Sequence, residues 1–246
     1  MKSAAEPHKP LRPRGAALFE RTDYRLIETP EDRDRLHQMR YRAYLQAGLI
    51  PPSESQRVTD RFDDAPNVWN FGVYVDDELC SSVRIHVLTS EWRMSYTTEV
   101  FGDVLHPRLD RGEVFIDPCR FVADSGMQQR FPELPYLTVR LPFIACEHFN
   151  ADVGLSMVRV DHQAFYRSVF LSETLTEPRG FPGWPTKKAV LMASDYPKVR
   201  EKILTRFPIM RSSAFERRML FERKSQPQAV ARPVLVQAPL SPAGLV

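Results

Sequence analysis

Few cysteines, no long apolar run and little net charge limit what this chain can be. Cys80, Cys119 and Cys146 are too few, and too irregularly spaced, for a disulfide framework or a zinc site. They point to a reducing, cytoplasmic protein without a metal. No stretch approaches the roughly 20 consecutive apolar residues of a membrane span, so no integral membrane segment is expected. The opening Met1-Lys-Ser-Ala-Ala-Glu-Pro-His-Lys-Pro lacks the apolar centre of a secretory signal. There is no internal repeat, and no helix-turn-helix, zinc or RNA-binding signature, so nucleic acid is not an expected partner.

What is present reads as one globular domain. With 246 residues, 43% hydrophobic and 26% charged, the chain has length and apolar content for one sizeable core. Residues 1–20, rich in Pro, Arg and Ala, read as a flexible arm. Residues 21–224 hold the domain, and 225–246 read as a disordered tail. The net charge of +3 hides an asymmetry. Lys187 to Lys224 carries eleven Lys or Arg against four Asp or Glu, a net +7, which leaves −4 for the remainder. A basic face of this kind fits an acidic partner, or is simply a solvated helix.

Periodicity orders the elements. Tyr24–Glu28 is a short strand. Thr29 caps a helix with Pro30 in its first turn and Leu36, Met39, Ala43 and Tyr44 at helical spacing, ended by Gly48. Residues 50–64 form a loop. Phe71–Val75 and Leu79–Leu88 make a hairpin in which Ser82, Arg84 and His86 share one face. Residues 89–109 read as a loop, yet Trp92, Tyr96 and Phe101 make it apolar enough to cover a cavity. A helix follows from Leu134 to Phe149, with Pro142 awkward inside it. Gly154–Val160 is a strand, Asp161 caps a short helix, and Pro178–Pro185 is a turn. Ala189–Ala193 is a strand, and Ser194 or Asp195 caps a basic helix. For Phe215–Phe221 periodicity does not separate strand from helix. The order implies an α/β (α+β) fold, a mixed central sheet with helices on both faces.

One stretch stands apart. Glu113-Val-Phe-Ile-Asp-Pro-Cys-Arg-Phe-Val-Ala123 has the β-branched and aromatic content of a strand, but charge and proline in its middle. Pro118 cannot donate a ladder hydrogen bond and belongs at an edge or a bulge. Asp117 and Arg120 then mark either a site or a structural ion pair at a strand end.

Together these elements resemble the acyl-homoserine-lactone synthase and N-acyl amino acid synthase group of the GNAT-like acyl-CoA N-acyltransferase fold. Arg40 and Tyr44 match the group's Arg-x-x-x-aromatic helix. Asp60-x-Phe-Asp63 matches its paired acids, Arg84 its hairpin arginine, and Asp117-x-x-Arg120-Phe121 its Glu-x-x-Arg-Phe, with the acid one methylene shorter. Asp161-His-Gln-Ala-Phe-Tyr-Arg167 looks like a helix of the N-acyl amino acid branch.

The resemblance implies transfer of a long-chain acyl group from acyl carrier protein, or from acyl-CoA, to the amine of an amino acid. No tightly bound cofactor is implied; the acyl-phosphopantetheine is a co-substrate. Asp117 would take the amine proton through water, or orient Arg120. Tyr166 would protonate the departing thiolate, or else it and Phe165 are simply core. Backbone N–H groups from Cys119 to Val122, including Phe121, would face pantetheine and carbonyl. Arg40, Tyr44, Asp60, Asp63 and Arg84 would surround the acceptor, with Arg40 or Arg84 on its carboxylate, or else form an internal ion-pair network. Lys198, Arg200, Lys202 and Arg206 on the basic helix would dock the acidic carrier. His86, His148 and His162 are possible bases, but they lack any cluster and read as structural. Cys119 lacks a neighbouring His in sequence, so direct transfer is preferred to an acyl-enzyme. Two alternatives are a lactone synthase using S-adenosylmethionine and a silent carrier-binding module.

Overall fold

Two apolar cores, one on each face of a single sheet, organise the chain. The computed structural model describes residues 13–181 and 184–222. Along them run α1 (Pro13–Glu20), β1 (Thr22–Leu26), α2 (Pro30–Gln46), β2 (Val68–Val75), β3 (Glu78–Leu88), α3 (Tyr96–Asp110), β4 (Phe115–Ala123) and α4 (Ser125–Arg130). There follow α5 (Leu134–His148), β5 (Val153–Arg159), α6 (Gln163–Phe170), β6 (Glu173–Thr174), β7 (Arg179–Phe181), β8 (Trp184–Asp195), α7 (Tyr196–Arg206) and α8 (Ala214–Phe221). Strand order is β1-β2-β3-β4-β5-β8-β6, with β7 also on β8. The β4–β5 pair is parallel and all others are antiparallel. On one face Val83, Ile85, Val87 and Ile116 pack under α5, α7 and α8. On the other, Leu88 and Phe115 pack under Phe101, Leu105 and Leu109 of α3, while Val122 meets Met39 and Tyr44 of α2. The mixed sheet with helices on both faces is the architecture the sequence implies.

Several local readings need correction. Residues 13–20 of the expected flexible arm are helical, because Leu18 drops into the main core and its carbonyl accepts from Thr22 Oγ1 at 2.8 Å; residues 1–12 and the expected tail 225–246 lie outside the described residues. The apolar loop 89–109 is largely α3. Ser95 and Thr98 form its capping box, and the helix tolerates Pro107 and a kink at Phe101. Helix α4, capped by Asp124, has no counterpart in the periodicity. Asp161 does not cap α6; its carboxylate is taken by Arg159 at 3.0 Å. Residues 178–185 contribute β7 and the start of β8 rather than a simple turn, and 214–221 is a helix. Thr29 and Asp195 cap α2 and α7 as their residue types suggest.

Helix α5 is buried on nearly every side, so its one internal cation needs a full set of acceptors. Arg140 is 1% exposed. It donates to the carbonyls of Ile209 at 2.6 Å and Arg211 at 2.7 Å and to Glu216 at 2.7 and 3.0 Å. The guanidinium also lies over the rings of Phe19 and Tyr24. One side chain thus ties α1, β1 and the α7–α8 connection to α5. Arg140→Met is expected to cost about 3 kcal/mol by leaving these acceptors unpaired, lowering the melting midpoint by roughly 6–12 °C, measurable by calorimetry.

Candidate active site

Three arginines and two aspartates form one buried knot against β3 and β4. Arg40 of α2 donates to Asp63 Oδ1 at 2.6 Å and to Asn70 Oδ1 at 2.9 Å. Arg84 of β3 donates to Asp60 Oδ1 at 2.7 Å and to Asp63 Oδ1 at 3.1 Å. Arg120 of β4 holds Asp60 Oδ2 through Nε at 3.0 Å and through Nη2, and reaches the Tyr44 hydroxyl at 3.3 Å. Burial alone would raise the Asp60 carboxyl, but Arg84 and Arg120 outweigh it and hold it well below the usual carboxylate range. Asp63 is lowered too, burial being overcome by Arg40 and Arg84. Arg40, Asp60, Asp63, Arg84, Arg120 and Tyr44 are thus all brought together. Arg40 and Arg84 are almost wholly buried and committed to the aspartates, which is the internal-network geometry; Arg120 keeps 16% of its side-chain surface.

The strand break lies at Arg120, not at Pro118. Arg84 faces Cys119 and Ser82 faces Val122, so two residues of β4, Arg120 and Phe121, oppose Val83 alone. Arg120 takes the extra position with φ +52°, a strained conformation for a residue with a side chain. Pro118 instead stays in register with Ile85. The Val87 amide bonds Asn67 O, on the side away from β4. Bonding alternates along an antiparallel pair, so Val87–Ile116 and Ile85–Pro118 are both pairs that do not bond each other. Pro118 therefore turns its nitrogen towards β5, where a donor would extend the next ladder, and it has none. The β4–β5 ladder ends after Phe115–Val153 and Ile116–Gly154, and the two strands part.

That parting divides two different faces. On the α3 side, Asp117 is fully buried opposite His86, its cross-strand partner, and accepts from Thr97 Oγ1 at 2.8 Å. Burial pushes its carboxyl up, against the opposing pull of His86, Ser95, Thr97 and Arg84. Burial likewise lowers the His86 imidazole from 6.5 to about 4, so it is neutral near pH 7. Cys119 receives Arg84 Nε at 3.2 Å, yet burial raises its thiol, which disfavours a thiolate nucleophile. On the α5 side, Ile116 and Pro118 border a half-open apolar cavity together with Pro142, Cys146, Gly154 and Ile203.

A family model described as N-acyl amino acid synthase FeeM matches residues 35–195. The chain belongs to this family. It is an acyltransferase of the GNAT-like fold. It is similar in structure to FeeM, an N-acyl amino acid synthase from uncultured soil microbes, at 16% identity and TM-score 0.62, over 75% of this chain and 96% of that one. It also resembles the AHL synthase LasI, at 12% identity and TM-score 0.56, over 71% and 90% of the two chains. The third likeness is to TofI, solved in a ternary complex with an inhibitor and MTA, at 18% identity and TM-score 0.55, over 78% and 100%. At these identities the likeness is one of fold. No curated protein matches the chain in sequence.

Within this FeeM-family chain the remaining predicted residues are more dispersed. Val122 points into the α2 core, and Phe121 packs on the main core. Tyr166 packs against Val158, Val190 and Met192, with burial pushing its phenol up to about 12. On α7, Lys198 pairs with Asp195, Arg200 with Glu147 at 2.6 Å, and Arg206 with the Ser168 carbonyl at 2.8 Å, while Lys202 is exposed. His86, Thr97 and Tyr96 were not singled out for the site by sequence. Tyr96 and Tyr44 both present ring faces to Arg120, 5.6 and 5.5 Å from its guanidinium. The apolar character of 89–109 was the available signal for two of these three. Among the described residues no group of three or more His, Cys, Asp or Glu is placed to hold a metal ion, and no helix is long and apolar enough to cross a membrane.

These environments predict a two-stage acid response. His86 titrates lower in the folded than in the unfolded chain, so its contribution is full above 6.5 and is lost as pH falls towards about 4. The depressed Asp60 and Asp63 contribute above the ordinary carboxylate value of about 4 and lose that contribution below it. Asp117, shifted upward, works in the opposite direction, so variants rather than the bare profile make the test. In urea melts at stepped pH, His86→Gln should flatten the first interval and Asp60→Asn the second. His37 and His148, lowered by burial as well, retain part of the first slope.

Proposed function

We propose that the protein moves a long-chain acyl group from acyl carrier protein to the amine of an amino acid, giving an N-acyl amino acid. The observation that carries this reading is the apolar cavity behind the parted β4 and β5, bordered by the two residues that flank Asp117. A thioester seated in the gap would have its acyl chain on the α5 side and its carbonyl beside the β4 backbone. The acceptor would approach from the α3 side, where Arg120 between Tyr44 and Tyr96 is the accessible cation for its carboxylate. Arg40 and Arg84 then act by holding Asp60 and Asp63, and through Asp60 they hold Arg120.

The chemistry is direct acyl transfer. The amine nitrogen attacks the thioester carbonyl, the C–S bond breaks, and an amide and a free thiol result. Asp117, made more basic by burial, takes the amine proton through water. The N–H groups of the bulge residues Arg120 and Phe121 stabilise the oxyanion, whereas the Cys119 amide, opposite Arg84, belongs to the β3–β4 ladder. Tyr166, a neutral phenol near pH 7, donates to the departing thiolate, although burial makes it a weaker acid than a free phenol. Lys198 and Lys202, the exposed cations of α7, meet the acidic carrier, with Arg200 and Arg206 completing the basic face. A carrier-bound or CoA donor also keeps the expected cytoplasmic location within this reading.

The deciding assay supplies acylated carrier protein, acyl-CoA or S-adenosylmethionine with a panel of amino acids, and identifies products by mass spectrometry. An N-acyl amino acid formed from the carrier is the expected result; product formed only with S-adenosylmethionine would replace this reading with the lactone one, and carrier binding without turnover would leave a silent module. In that assay Asp117→Ala should lower kcat by about 10²–10⁴-fold while circular dichroism stays unchanged, and a near-normal rate would remove Asp117 from the mechanism. Lys198→Glu with Lys202→Glu should raise KM for the carrier and weaken its salt dependence without changing kcat.

A further inference from the structure

The apolar cavity has a back wall whose far side carries charge. Phe143 of α5 and Tyr196 at the start of α7 line the cavity, and the same two residues line a second, half-open one. Their rings meet edge to face with centroids 5.3 Å apart. Beyond them Glu147, Arg200, Arg211 and Arg217 line the space alongside Ile144, Leu204 and Met210. The wall is pinned from that side. The Tyr196 hydroxyl donates to Glu147 Oε2 at 2.8 Å, and Arg200 Nε holds the same oxygen at 2.6 Å. The Tyr196 amide donates to the Asp152 carbonyl at 3.0 Å, fixing the residue's other end.

We propose that the Phe143–Tyr196 pair is the stop that sets the longest acyl chain this protein accepts. The proposal rests on the acyl-transfer reading above and adds the residues that limit its substrate. Each methylene buried in the apolar cavity is worth about fourfold in affinity. A chain long enough to reach the wall gains nothing further by pushing on. It would have to displace a ring packed on one side and hydrogen-bonded to an ion pair on the other. Past that ring its methylenes would meet three guanidinium groups and a carboxylate set among a few apolar side chains, and would strip water from those charges. The wall thus combines a steric limit with an unfavourable space behind it.

A homologous series of saturated acyl-CoAs, used as soluble probes of the acyl site, tests this by calorimetry on the full chain. In the unmodified protein affinity should climb by about fourfold per methylene and then level off at one chain length. Phe143→Ala, which joins the two cavities, should move that break to longer chains, with products lengthening in parallel. Phe143→Leu is the milder substitution to use if alanine prevents folding. Tyr196→Phe keeps the ring and frees it from Glu147, so it should blunt the break without moving it far. An unchanged break in folded Phe143 variants would overturn the wall while leaving acyl binding intact. Failure of every chain length to bind the folded, unmodified protein would overturn the acyl site and the wall together.

Discussion

Two carboxylates shared among three guanidinium groups hold this molecule's working parts in place. Asp60 and Asp63 come from a loop with no regular structure of its own, and the arginines come from α2, β3 and β4. Removing any partner leaves an uncompensated charge in a region almost closed to water, which costs more than the pairs gain by forming. The network therefore selects one arrangement of the helix–loop lobe on the sheet more than it adds stability. It also holds Arg120, through Asp60, in a left-handed conformation it would not otherwise adopt. The bulge, the ion pairs and the placement of Tyr44 are one mechanical unit.

Strand β4 is where the two cores meet. Its side chains alternate between the α3 face, with Phe115 and Asp117, and the α5 face, with Ile116 and Pro118. As long as β4 and β5 are paired, the faces are sealed from each other. The ladder stops after Ile116–Gly154, and Pro118 brings no donor to the side on which it would resume. A gap between an apolar cavity and a polar cluster follows from backbone bonding alone, before any catalytic side chain is considered.

Much of this was legible in the residues. Thr29-Pro30 and Asp195 announce their helices because capping is local chemistry. The Arg40, Asp60, Asp63, Arg84 and Arg120 set was recognisable by type and order, and all five converge. Helix α3 was not legible, because Gly102 and Pro107 mimic loop punctuation and the Ser95–Thr98 capping box that offsets them is inconspicuous. His86 was a possible base set aside for want of a cluster; its acidic neighbour Asp117 lies 31 residues on and is met only through the β3–β4 register.

By itself the sequence determined which side-chain chemistries are available, the order of the elements and the family whose pattern they follow, since these depend on residue type and short-range spacing. Only the tertiary structure decided how those groups are spent. It committed Arg40 and Arg84 to aspartates and left Arg120 accessible, put the bulge two residues beyond Pro118, paired Asp117 with His86, and backed the apolar cavity with an ion-paired tyrosine. Each of these is set by cross-strand register or by contacts between residues far apart in the chain, and such contacts exist only once the sheet has formed and both cores have closed on it.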